Sequence, residues 1–180
     1  MKSILVLFWD INLFKRGPED VPAHSVLLIS VVTIFVVFNS VASWFLLDTN
    51  LLHSLMSSVM VLMVFVASLW LGLQLKGGLN RFPQSVAALL GQDLVISCLS
   101  MPVLVMLVAK EAEGSVPQAG SILLLLFYVW DLAVKGFIYR KALDVGPGLA
   151  LMLAVAMVMS AIVLENQFFG LDADSFSVAF

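Results

Sequence analysis

The sequence predicts an all-α fold: a polytopic membrane protein with five transmembrane helices in a compact bundle, plus an N-terminal interfacial helix. Three observations carry this expectation. Of 180 residues, 62% are hydrophobic and 12% are charged, with a mean hydropathy of +1.09. A soluble domain of this length has no need for so much apolar surface. Five stretches meet the length of about 20 mainly apolar residues that crosses a bilayer; they are residues 24–47, 51–75, 84–109, 119–139 and 146–164. Eight of the nine Lys and Arg residues fall in segments that these stretches would place on one side of the membrane.

The chain divides into residues 1–23, an interfacial helix and turn; 24–165, the five-span domain; and 166–180, an aromatic tail. In residues 2–14, Ile4, Leu7, Phe8, Ile11 and Phe14 recur at helical spacing and Trp9 suits the headgroup level. Asp10 interrupts the apolar run and no small-residue cleavage site follows, so this segment is expected to be retained. Lys15-Arg16-Gly17-Pro18 ends it, and Pro18 and Pro22 make a stiff turn into the first span. Pro102 in the third span is expected to kink it, and Pro147 fits the first turn of the fifth. Small residues four apart mark close helix approach: Ser54/Ser58, Ala87/Gly91, Ala150/Ala154 and Ala156/Ser160.

Basic residues resist translocation and collect in cytoplasmic segments. Lys2, Lys15 and Arg16 precede the first span, Lys76 and Arg81 follow the second, and Lys135, Arg140 and Lys141 lie at the end of the fourth. Only Lys110 lies on the opposite side. The expected topology has a cytoplasmic N-terminus and an external C-terminus, in an inner membrane of bacterial type. The net charge of −3 and the scattered basic residues argue against nucleic-acid binding. The single cysteine, Cys98, can form no disulfide within the chain.

Two acids lie deep in the spans, Asp93 and Asp131, each nine residues from the cytoplasmic end of its helix. That places both at a depth of about 13 Å. Lys135 is one turn from Asp131 on the same face. Gln92 adds a polar group beside Asp93, and Asn39 adds one in the first span. Such groups are costly in lipid and should face the bundle interior, with Lys135 close to at least one acid. They form either a functional layer, for proton relay, ion binding or catalysis, or a structural clasp between the third and fourth spans. One lysine for two acids suits the clasp. The order Gly91-Gln92-Asp93 then Trp130-Asp131 does not match an aspartyl intramembrane protease, and no phosphate-binding loop, zinc-protease or serine-hydrolase motif occurs. Cys98 reads as a small packing residue, and His24 and His53 as surface histidines without metal partners.

Lys76-Gly77-Gly78, Arg81-Phe82 with Gln84, Ala87-Ala88-Leu89, Met101-Pro102-Val103, Trp130-Asp131-Leu132-Ala133-Val134 and Gly148-Leu149-Ala150 together resemble the bacterial branch of the Yip1 family, over roughly residues 70–165. The resemblance implies a compact five-span bundle acting through partners or lipid. The signature of the eukaryotic members is missing, so their trafficking role is not carried over.

The expected function is therefore non-enzymatic: an accessory, scaffold or adaptor protein working with protein partners or the bilayer, with no cofactor, no metal and no catalytic residue. Self-association is compatible with it. The alternative is a small transporter or channel using the Asp93, Asp131 and Lys135 layer. Phe168, Phe169, Phe176 and Phe180 crowd a tail whose charges are Asp172 and Asp174. Free segments are poor in aromatics, so the tail is expected to pack on the bundle or dock on a partner.

Overall fold

The computed structural model describes residues 4–47, 50–112 and 117–169. Six helices make up almost all of this: α1 (Ile4–Asn12), α2 (Ser25–Leu47), α3 (Leu51–Lys76), α4 (Phe82–Ala112), α5 (Gln118–Leu143) and α6 (Pro147–Phe169). Short 3-10 turns at Pro18–Asp20 and Leu79–Arg81 lead into α2 and α4. No strand occurs among the described residues. Five helices, α2 to α6, are long and apolar enough to cross a membrane.

Local chemistry fixes the helix ends. Asn50 caps α3 by accepting from the Leu52 amide at 3.0 Å. Gly77 ends α3 with φ +68°, where a Cβ would be strained, and the Gly78 amide reaches the Leu73 carbonyl at 2.9 Å. Pro147 opens α6 at a position where its missing amide costs nothing. Helix α4 runs without interruption through Pro102.

The helices close a ring in the order α2, α3, α6, α5, α4, with α3 touching α4 and α5 across the centre. The first half of α4 is the hub. Every residue from Ser85 to Gln92 is buried, which an α-helix achieves only when surrounded on all sides. Three of the four small-residue pairs lie in the packed interior: Ser54/Ser58, Ala87/Gly91 and Ala150/Ala154. Ser40 of α2 donates to Ser58 of α3 at 3.1 Å, the close polar contact that small residues permit. Ala156 and Ser160 are exposed instead, and the Ser160 hydroxyl turns back on the Ala156 carbonyl. Cys98 is also exposed on the outer face of α4 and not packed as its size suggested.

Helix α1 differs from its expected register in an informative way. Leu7, Phe8 and Ile11 are buried within the bundle, while Ile4 and Phe14 are exposed and Asn12 takes a place in the interior. The Phe8 ring lies against Gly91, and the Asn12 amide reaches the Gln92 carbonyl at 3.4 Å. One turn of α1 thus meets adjacent residues of α4, so α1 crosses α4 instead of running along it. Its outward residues, Leu5, Val6 and Trp9, are apolar too.

At the far end, α6 continues to Phe169, so the first residues of the aromatic segment are helical. The Phe169 carbonyl lies 3.1 Å from His53 Nε2, and the two rings meet edge to face at 5.1 Å. Ser57 donates to Glu165, tying α3 to α6 at this end. The remainder of the tail, including Phe176 and Phe180, lies outside the described residues.

Candidate functional site

Asp131 and Lys135 stand one turn apart on α5, and Asp93 faces them from α4. The Lys135 Nζ donates to Asp93 Oδ1 at 2.5 Å and also to Asp131 Oδ2. The lysine side chain is 4% exposed and the two acids 14% and 16%. Both carboxylates therefore share one ammonium at the junction of two helices. Gln92 Nε2 donates to the second Asp131 oxygen at 3.1 Å, so both oxygens of that acid are engaged.

The layer extends to the other helices through aromatic rings. Lys135 Nζ lies 5.3 Å from the centre of the Phe65 ring of α3, within cation–π range. Phe65 packs in turn on Phe35 of α2, with centroids 6.0 Å apart. One turn beyond Lys135, Tyr139 OH lies 2.5 Å from Ser68 Oγ of α3 and donates to Met157 Sδ of α6 at 3.0 Å.

Helix α1 closes the layer from the remaining side. Asn12 Nδ2 donates to the Phe8 carbonyl at 3.0 Å as well as to Gln92, and Trp130 Nε1 donates to the Asn12 carbonyl at 2.9 Å. Among the described residues, two buried oxygens, Asn12 Oδ1 and Gln92 Oε1, have no hydrogen-bond partner. Rotating either amide by half a turn is no remedy. It would set an oxygen against the Asp131 carboxylate or against two carbonyls, all of them acceptors.

Asp93, Asp131, Lys135 and Gln92 thus come together, and both acids turn inward. Asn39 does not join them. Its amide donates to Phe35 O at 2.9 Å, one turn back on its own helix. Phe65, Asn12 and Trp130 complete the site, and the sequence alone does not point to them. Phe65 is one apolar residue in an apolar span. Asn12 and Trp130 lie 118 positions apart. The one sequence signal for them was the buried cost of a lone asparagine at the end of an apolar run.

The arrangement pairs opposite charges and joins helices. Among the described residues, no group of three His, Cys, Asp or Glu side chains could hold a metal ion. Comparison with family models, with curated proteins and with solved structures gives no match, so the reading of the site rests on its own chemistry.

Proposed function

We propose that this chain is an integral membrane protein with no catalytic role, an accessory, scaffold or adaptor subunit whose buried charged layer is a structural clasp. The single observation that carries the clasp is the Lys135 ammonium shared between Asp93 and Asp131. A buried charge is tolerated when it is paired and hydrogen-bonded, and here one cation serves two helices at once. The five long apolar helices support the membrane reading. Short connections leave little water-exposed surface for recognising a soluble substrate, so contacts are made by helix faces and by the tail. The basic asymmetry supports a cytoplasmic N-terminus and an external C-terminus. The bacterial Yip1-like resemblance agrees with a role through partners or lipid.

The test is purification of the full chain from its native membrane in mild detergent. A protein partner recovered at constant stoichiometry supports the proposal. Recovery of the chain alone, as an oligomer enclosing a water-filled cavity, contradicts it.

A transporter is the second reading, and one observation favours it. The layer holds two carboxylates for one ammonium, beside two buried oxygens that lack a donor. Proton or cation flux in proteoliposomes separates the readings: Asp131→Asn abolishes flux at normal stability in a transporter, and lowers stability with no flux to lose in a clasp.

A further inference from the structure

The basic end of the bundle carries a concavity away from the charged layer. A cavity of about 300 Å³ opens between the Pro18–Asp20 turn, the start of α4 and the end of α5. Arg81, Lys141, Gln84, Ser85 and Glu19 line it. Arg81 is exposed and forms no ion pair among the described residues. Among the described residues Lys141 pairs only with Glu19, at 3.1 Å, and both side chains are about half exposed, at 45% and 52%. Such a pair contributes little and exchanges readily for a better anion. Asp20, the other acid of the turn, accepts from the Gly17 amide at 3.1 Å and does not line the cavity. The cavity therefore carries two cations against one loosely held carboxylate.

We propose that this cavity binds a phosphate group, with the Arg81 guanidinium and Lys141 ammonium as its cationic partners and Gln84 as a neutral donor. Guanidinium groups fit phosphate oxygens in pairs, and an ammonium adds a point charge. On the bilayer reading of the five helices, the cavity lies where α4 enters and α5 leaves the cytoplasmic leaflet. That is the headgroup level, where basic pockets between helices meet anionic phospholipids. The group can come from such a headgroup or from a soluble phosphate. Glu19 competes for Lys141 and leaves it when phosphate enters.

Native mass spectrometry of the full chain released from nanodiscs of phosphatidylglycerol and phosphatidylcholine tests this, with inorganic phosphate and glycerol phosphate added in separate arms. The expected result is retained phosphatidylglycerol in preference to phosphatidylcholine, reduced at least tenfold by Arg81→Gln or Lys141→Gln. Lys76→Gln removes a charge from the same end without touching the cavity and leaves retention unchanged. Glu19→Gln, which removes the competing carboxylate, increases it. Phosphatidylglycerol that resists displacement by the soluble phosphates identifies the lipid as the source. Retention of inorganic or glycerol phosphate, lost in the same two variants, identifies a soluble source. Equal loss with Lys76→Gln, or no phosphate species retained by the parent and Glu19→Gln chains, overturns the proposal.

Discussion

Among the described residues Lys135 is the one cation paired with the two partly buried carboxylates, and its loss should be the most damaging single change in the layer. Breaking a buried pair by removing one partner costs about 3–5 kcal/mol. Lys135→Met leaves both acids unpaired and is expected at the top of that range, measured as a fall in thermal midpoint in detergent. Asp131→Asn leaves Lys135 still paired with Asp93 and should cost less, on the order of 1–3 kcal/mol. Exchanging Asp131 and Lys135 should be tolerated better than either single change. Equal stability of Lys135→Met and the parent chain would show that the pairing contributes nothing. The Asp131–Lys135 relation was legible because a spacing of four residues fixes it within one helix. Asp93 was legible because equal depth brings two helices' acids to one level. Asn39 was misleading for the same reason of locality: a polar side chain in an apolar helix can satisfy itself on the carbonyl four residues back, and needs no partner across the bundle.

Helix α1 owes its position to shape as much as to polarity. A Cβ added at Gly91 would lie 2.3 Å from the Phe8 ring, so the ring occupies space that only glycine leaves open. Gly91→Ala should therefore displace α1 at a cost of about 1–3 kcal/mol. The readout is faster tryptic cleavage at Lys15 or Arg16. Pairing it with Phe8→Ala should restore protection in part, and cleavage as fast in the double variant as in Gly91→Ala alone would argue against that contact. The Ala87/Gly91 pair marked this face of α4 from sequence, since small residues signal close approach. Sequence could not show that the approaching group is a phenyl ring from a crossing helix. Nor could it show that Asn12 turns inward, because both faces of this nine-residue helix carry apolar residues.

The molecule as a whole is a ring of helices with its charges at the two ends and in one internal layer. The helix plan was readable because long apolar runs set the five long helices. Cysteine labelling at positions 2 and 180 from outside should modify the C-terminal site and spare the N-terminal one, and the reverse pattern would invert the proposed topology. Removing residues 170–180 leaves the His53–Phe169 contact in place. This deletion should reduce partner recovery without affecting membrane insertion, and unchanged recovery and thermal stability would remove the case for docking. The most direct test of the clasp replaces the entire layer at once: Asp93→Leu, Asp131→Leu and Lys135→Met in one chain, measured for thermal midpoint and for the partner recovered in detergent. Exchanging a buried ion triad for apolar side chains of similar size is neutral or stabilising by about 1–4 kcal/mol. The predicted result is therefore a chain at least as stable as the parent that brings down the same partner. A stable, folded triple variant that has lost its partner, or a flux the parent carries, would contradict a purely structural layer.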